Sequence, residues 1–326
     1  MRINLGIIGC GSIAGHFAND IKYTKHCRLY AVGSRSQKRA KGFAKNHNAA
    51  CAYSSYHQLL ADPAVDAVYV ATPHPFHMQN TLDAIAAGKA VLCEKPFAVN
   101  AAQAAEMIRT AKKKKVFLME AMWTRFFPAM IAVREWLDEK AIGHVLSIRA
   151  DFCAAFNKGP KHRINDPKLG GGALLDVGIY VVSFASMVKS AQPKKISSSV
   201  HMTKTGVDDQ AALLFDYQDG TTAQLGCSSR HSIPAQGWIY GTKGTICIHE
   251  NFYHPNKITL CRDGKKEITR NFRHRGLGFR YEADFFAKCV LDGKTDNDII
   301  SHEETLAIMK TTDKIRKQWK LKYPFE

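Results

Sequence analysis

The chain has 326 residues, 45% of them hydrophobic and 23% charged, a globular balance that excludes disorder and a fibrous repeat. Its length suits two domains, each able to bury a core of its own, and no run of about 18 uninterrupted apolar residues offers a membrane span. Forty-six Lys and Arg against 29 Asp and Glu leave a net charge of +17, which attracts phosphorylated ligands or nucleic acid without choosing between them.

In the first third, short apolar runs at Ile3 to Ile8, Leu29 to Val32, Ala67 to Ala71, Ala90 to Leu92 and Val116 to Met119 alternate with helix-period stretches near 13–24, 37–46, 76–87 and 101–114. Strand, helix, strand at this spacing predicts crossover units: an N-terminal, doubly wound parallel sheet of the Rossmann kind over residues 1–120. Lys112 to Lys115 fall at a helix end, where cations suit the dipole, so they read as a solvated face rather than a nucleic-acid patch. Beyond residue 120 come a helix near 128–140, strand-like runs from Val145 to about 261, turns at Gln218-Asp219-Gly220 and Arg262-Asp263-Gly264, and helices near 279–291 and 302–319. These predict a second, α+β domain over 121–326 with a large, mostly antiparallel open sheet. The fold class is α/β.

Nine cysteines include no C-x-x-C pair, so reduced thiols are expected, most of them in the core. With a start that lacks the order of a signal peptide, they point to a cytoplasmic protein.

After the first strand stands Gly9-Cys10-Gly11-Ser12-Ile13-Ala14, the G-x-G-x-x-A form of the dinucleotide fingerprint. Gly9 permits the tight turn, Gly11 lets the backbone approach a pyrophosphate, and the helix that follows offers its first amides to the anion. An NAD site calls for an acid at the end of the second strand. Here Gly33-Ser34-Arg35-Ser36 stands there, with Lys38 and Arg39 following. Hydroxyls and guanidinium groups suit a 2′-phosphate, so NADP (NADPH) is the expected cofactor. Ala71-Thr72-Pro73-His74, with His77, ends one later strand, and Cys93-Glu94-Lys95-Pro96 the next. Ligands lie beyond the carboxyl ends of such strands, so Lys95 is placed to hold a substrate oxygen. His74 and His77 have no third ligand nearby, so no metal is expected; packing or cofactor contact suits them better.

These motifs, the segment Gly88-Lys89-Ala90-Val91-Leu92-Cys93-Glu94-Lys95-Pro96 and the ending Gly278-Phe279-Arg280-Tyr281-Glu282 through Lys322-Tyr323-Pro324-Phe325-Glu326 resemble the Gfo/Idh/MocA oxidoreductase family over nearly the whole chain. Glu120-Ala121-Met122-Trp123-Thr124-Arg125-Phe126 is similar to its dimeric dihydrodiol dehydrogenase and NADP-linked aldose 1-dehydrogenase branch. The resemblance implies cofactor contacts from Gly9, Cys10, Gly11, Ser12, Ile13, Ser34, Arg35, Arg39, Thr72, Pro73, His77, Glu94 and Lys95. It further implies a homo-oligomer, dimer or tetramer, built through the second domain's sheet.

Gly170-Gly171-Gly172-Ala173-Leu174-Leu175-Asp176-Val177-Gly178-Ile179-Tyr180 puts Asp176 and Tyr180 four apart, on one face if the segment is an α-helix. Read alone, Tyr180 is a core or interface aromatic. The branch resemblance makes it catalytic, standing where many relatives have His, with Lys95 as its neighbour. Tyr180 then gives a proton to a carbonyl oxygen or takes one from an alcohol; a free phenol titrates near 10, and a close ammonium stabilises the phenolate. Asp176 orients substrate hydroxyls or Lys95. Trp123, Arg125, Phe126, Phe156 and Arg163 are candidates for the substrate pocket, Phe156 to Arg163 forming a loop over it; interdomain packing fits Trp123 and Phe126 equally well. Two functions stand: an NADP(H)-dependent oxidoreductase acting on the alcohol–carbonyl couple of a sugar, polyol or dihydrodiol, or an NADP-binding redox-sensing regulator without turnover. Nucleic-acid binding lacks a motif, and the expected partner is a small-molecule substrate.

Overall fold

The computed structural model describes residues 1–156, 159 and 162–326. The chain divides into two compact units, 1–126 with 274–306 and 127–273 with 307–326. Residues 274–306, which the sequence reading groups with the second domain, thus pack with the first unit.

The first unit runs β1 (Ile3–Ile8), α1 (Ser12–Ile21), β2 (Cys27–Gly33), α2 (Gln37–His47), β3 (Cys51–Tyr53), α3 (Tyr56–Ala61), β4 (Ala67–Val70), α4 (His77–Ala86), β5 (Ala90–Glu94), α5 (Ala101–Lys114) and β6 (Leu118–Ala121). Its strands lie in the order β3-β2-β1-β4-β5-β6, all parallel, so the chain reverses direction across the sheet between β1 and β4. Helical periodicity explains the covering layers. In α1 the buried Ala14, Phe17, Ala18 and Ile21, and in α5 Ala104, Met107, Ile108 and Ala111, recur at intervals of three and four. Asn100 caps α5 by accepting from the Gln103 amide at 2.9 Å, and Lys112, Lys113 and Lys114 occupy its last turn.

Residues 274–306 join this unit through charge and ring packing. Asp20 accepts hydrogen bonds from the amides of Leu277, Gly278 and Phe279 at 3.0, 2.6 and 2.9 Å, an anion at the N-terminus of α8 (Phe279–Leu291). Phe279 stacks on Trp123 with ring centres 4.4 Å apart, and Phe17 stacks on Tyr69 at 3.8 Å.

The second unit holds α6 (Pro128–Asp138), β7 (Val145–Cys153), α7 (Ile179–Val188), β8 (Lys195–Met202), β9 (Asp208–Asp216), β10 (Thr222–Ser228), β11 (Gly237–Gly241), β12 (Gly244–Ile248), β13 (Lys257–Arg262) and β14 (Ile268–Asn271), while α9 (His302–Gln318) begins in the first unit and ends in the second. The eight strands order β14-β13-β12-β11-β7-β10-β9-β8. All pairs are antiparallel except β7 with β10, where Ala150 faces Leu225. Residues 167–188, interrupted by Lys168 and Asp176, are long and apolar enough to cross a bilayer by length and composition alone, an 18-residue window within them reaching a mean hydropathy of 1.6. That window is 83% buried, and the segment forms part of the core of this unit.

All nine cysteines are free thiols. Burial pushes the Cys10 and Cys93 thiols up, Cys93 further disfavoured as an anion by Glu94 and Glu120, so neither has thiolate character.

Besides Asp20, the first unit buries the carboxyl groups of Glu94, Glu120 and Glu282. Burial pushes Glu120 up to about 7 against the pull of Thr305 and Arg125, and pushes Glu282 well above the usual range, with Glu94 and Glu120 adding repulsion. Glu282 is fully buried and neither oxygen has a hydrogen-bond partner among the described residues. An acid raised on folding holds its proton in the native state while the unfolded chain, titrating near 4.3, has lost it, so its contribution to stability falls as pH rises toward the folded value. Glu282→Gln should therefore match the parent near pH 4 and exceed it by about 1–3 kcal/mol at pH 8 in urea unfolding. A pH-independent difference would show that the residue is already ionised in the native state.

Candidate active site

The turn after β1 is built for backbone rather than side chains. Gly9 has φ +103°, and a Cβ there would stand 2.8 Å from the Ala71 carbonyl oxygen. Its amide donates to the Gly33 carbonyl at 3.0 Å, tying the ends of β1 and β2. Gly11 precedes α1, and a Cβ there would meet nothing within 4 Å. Among the described residues no side chain caps α1 and no acid lies in its first turn, so its first amides are left to a ligand or solvent at the positive dipole end. These features fit an anionic pyrophosphate.

At the end of β2, Ser34 is buried, its hydroxyl accepts from the Ser36 amide at 3.3 Å, and Ser36 caps α2 by accepting from the Arg39 amide at 3.4 Å. The cap aims the Arg39 guanidinium back across the turn, where it donates to the Cys10 carbonyl at 3.1 Å. Arg35 lies over the Phe76 ring, 5.8 Å from its centre. Ser34, Arg35 and Arg39 thus share one corner with the Gly9–Ile13 turn, and the corner is cationic.

The ends of β4 and β5 are joined by His77. Fully buried, its Nδ1 lies 2.9 Å from the Pro96 carbonyl and its Nε2 2.8 Å from the Thr72 carbonyl, while the Thr72 hydroxyl accepts from Asn80 at 3.0 Å. Burial pushes the imidazole below its usual value. His77 is therefore a fastener between two loops. Glu94 is buried, accepting from the Tyr69 hydroxyl and, at 3.1 Å, from the Lys95 amide, so it fixes the strand end that presents Lys95. The Lys95–Pro96 peptide is cis.

The pocket candidates Trp123, Arg125 and Phe126 are all buried in the first unit. Trp123 stacks on Phe279, Phe126 packs against Phe285 at 5.2 Å, and Arg125 pairs with Glu304 at 2.5 Å.

In the second unit, Gly170 and Gly172 have φ +66° and +123°, and the chain then enters a π-helical turn at Leu174–Gly178 before α7. The expected plain α-helical face is thus broken by a wider turn between Asp176 and Tyr180. Gly178 is needed for packing, since a Cβ would meet the Cys227 sulfur at 2.9 Å. Asp176 is 4% exposed and accepts from both terminal nitrogens of Arg163 at 3.1 and 3.1–3.2 Å, a forked pair. Tyr180 is 8% exposed, its ring edge-on to Phe152 at 5.2 Å and 6.1 Å from Tyr253, which itself stacks on Phe152 at 4.0 Å. Phe156 is partly buried, its amide donating to the Ser229 carbonyl at 3.0 Å; Asn157, Lys158, Pro160 and Lys161 of the expected loop lie outside the described residues. Tyr253 and Phe152 escaped the sequence reading, because nothing in the local pattern marks an aromatic whose partner is distant in the chain. Lys95 belongs to the first unit, and Asp176 and Tyr180 belong to the second.

Residues 3–122 match an oxidoreductase family with an NAD-binding Rossmann fold, and residues 130–247 match the GFO/IDH/MocA C-terminal domain. The chain is 37% identical over 334 residues to trans-1,2-dihydrobenzene-1,2-diol dehydrogenase of Xenopus tropicalis, covering 99% of this chain and 100% of that one. The Mus musculus enzyme of the same name is 36% identical over 333 residues, covering 99% of each. A 3-ketoreductase from Actinomadura kijaniata, solved in complex with NADP and TDP-benzene, aligns with a TM-score of 0.86 at 26% identity, over 97% of this chain and 98% of that one. Agreement of both halves with one family, over the full length, makes this chain a member of the GFO/IDH/MocA family and an NAD(P)-dependent oxidoreductase.

Proposed function

We propose that the protein uses NADP(H) to interconvert an alcohol and a carbonyl on a sugar, polyol or dihydrodiol, with Tyr180 as acid–base and Lys95 and Asp176 as its partners. The observation that carries the cofactor choice is the Arg39 guanidinium held on the Cys10 carbonyl beside Ser34 and Arg35, a corner that attracts a 2′-phosphate. Bound nicotinamide supplies or accepts the hydride. The residues that would hold the cofactor are Gly9, Cys10, Gly11, Ser12 and Ile13 at the pyrophosphate, Ser34, Arg35 and Arg39 at the adenosine end, and Thr72, Pro73 and Lys95 along the strand ends, with His77 and Glu94 contributing by holding those ends in place.

In reduction, the Tyr180 hydroxyl gives its proton to the oxygen of the carbonyl whose carbon gains the hydride. In oxidation the phenolate takes that proton back. The Lys95 ammonium stabilises the phenolate, lowering the cost of either transfer. Asp176 accepts substrate hydroxyl hydrogens, with Arg163 holding its carboxylate in place. Relatives support these assignments. The curated relatives at 36–37% identity act, by name, on a dihydrodiol. The Actinomadura kijaniata ketoreductase has been solved with NADP, and also with a lysine changed to alanine and with a tyrosine changed to phenylalanine.

We infer also that the protein is a homo-oligomer through the open face of its eight-stranded sheet. That face carries a groove of about 620 Å³ lined by Arg149, Ser199, Leu214 and Gln224, with Leu214 39% exposed in mid-strand. Light scattering coupled to gel filtration should give at least twice the 36.3 kDa chain mass; a monomer at micromolar concentration contradicts the inference.

The central test is a screen of aldoses, inositols and dihydrodiols, with dicarbonyls in reverse, following NADPH absorbance with NADH as control. Tyr180→Phe should cut turnover at least ~100-fold while the NADPH Kd changes less than about twofold; unchanged turnover removes Tyr180 from the chemistry. Arg39→Ala should weaken NADPH ~10-fold more than it weakens NADH, the difference being about 1.4 kcal/mol of 2′-phosphate recognition. Equal use of both cofactors by the parent protein contradicts the assignment to NADP.

A further inference from the structure

The turn that leads into Asp176 and Tyr180 is held from two sides by groups the chemistry above leaves unused. On one side stands Asp208 at the start of β9, 1% exposed, whose Oδ2 accepts from the Leu174 amide at 2.6 Å. Its other oxygen has no hydrogen-bond partner among the described residues and fills the space where a Cβ on Gly172 would lie, 2.3 Å away. On the other side stands Tyr323, 1% exposed, whose hydroxyl donates to the Gly171 carbonyl at 2.6 Å across 152 residues of chain. A Cβ on Gly171 would sit 2.7 Å from the carbonyl oxygens of Arg163 and Ile164, so the turn is closed on that side by the backbone adjoining Arg163.

Tyr323 is itself pinned. Arg316 from α9 lies over its ring at 5.1 Å and donates to both carboxylate oxygens of Glu326, at 2.8 and 3.0 Å. Glu326 in turn accepts from the Tyr323 amide at 2.9 Å, and Phe325 stacks on the Tyr323 ring at 5.6 Å. The last four residues thus form a clamp whose inner tip is one phenol bonded to one glycine carbonyl. A flexible run of three glycines costs conformational entropy to order, and these two bonds order it. The π-helical turn follows directly, so displacement of Gly171 or Leu174 passes into the placement of Asp176 and Tyr180.

We propose that Asp208 and Tyr323 are positioning residues, which hold the Gly170–Leu174 turn so that Asp176 and Tyr180 meet the substrate in register. The proposal rests on the reading of Asp176 and Tyr180 as catalytic. An error of about 1 Å in such a group lowers turnover by up to ~100-fold, and the supporting contacts are what prevent it.

The test compares Tyr323→Phe, Asp208→Ala and Asp208→Asn with the parent and with Tyr180→Phe, reading amide hydrogen exchange and steady-state kinetics on the full-length protein. Tyr323→Phe removes one hydroxyl and keeps the buried ring, so it carries the test if Asp208→Ala fails to fold. Tyr323→Phe and Asp208→Ala should speed exchange at residues 172–176 at least ~10-fold while leaving the β1 amides unchanged. They should lower kcat ~10–100-fold with the NADPH Kd within about twofold. Asp208→Asn, which keeps an acceptor for the Leu174 amide, should recover most of both losses. Unchanged exchange at 172–176, or acceleration spread evenly over the chain, overturns the proposal. So does a parent-like kcat in Tyr323→Phe while Tyr180→Phe is inactive. Parent-like turnover in Tyr180→Phe instead overturns the catalytic reading of Tyr180, and the exchange result then still decides whether the two groups hold the turn.

Discussion

A strand that ends inside a parallel sheet must turn back without pushing a side chain into its neighbour, and at the end of β1 only glycine meets that condition. With the Ala71 carbonyl standing where a Cβ would go, the chain crosses from β1 to α1 in a backbone-only turn. The consequences accumulate from there. The Gly9 amide bonds β2, α1 begins with an open N-terminus, and the Cys10 carbonyl is left facing the α2 side, where Arg39 reaches it. The second unit uses the same device at Gly171 and Gly172, where carbonyls and the Asp208 carboxylate take the room a methyl would need. Both halves place their polar chemistry next to a turn that tolerates no side chain.

The distribution of charge inverts between surface and interior. A chain carrying +17 overall buries Glu94, Glu120 and Glu282 within one unit, with Arg125 as the buried cation among them. Such acids persist in the interior by keeping protons or by spending their charge on hydrogen bonds. Glu94 accepts hydrogen bonds from the Tyr69 hydroxyl and the Lys95 amide, while burial pushes Glu282 well above the usual carboxylate range. The strand end that presents Lys95 is consequently rigid on its inner side, a property that composition alone conceals.

Much of the architecture was legible because its signals are local. The three-and-four spacing of apolar residues marked α1 and α5, the glycine turn marked its flanking strand and helix, and α8 fell where its pattern lay. The elements β3 and α3 were missed because Cys51–Tyr53 is too short to show alternation, although Ser55 caps α3 through the Gln58 amide. Strand β14 is exposed along all four residues and so carries no apolar signature. The parallel pairing of β7 with β10, and the return of residues 274–306 to the first unit, depend on contacts between distant segments. The candidate site divides in the same way. Gly9, Gly11, Ser34 and Arg39 follow from position after a strand, whereas Tyr253, Asp208 and Tyr323 acquire meaning only in three dimensions. Trp123, Arg125 and Phe126 show the limit of residue type as a guide, since their contacts with Phe279, Phe285 and Glu304 come from segments distant in the chain.

The bond from Arg39 to the Cys10 carbonyl also bears on any attempt to re-engineer the coenzyme preference. Swapping this arginine for an acid would remove a cation and, in the same stroke, cut a tie that steadies the glycine turn. A variant carrying that swap would thus hold the diphosphate of either dinucleotide more loosely. Restoring the grip calls for a second change elsewhere on α2, one that reaches the same carbonyl with a neutral donor.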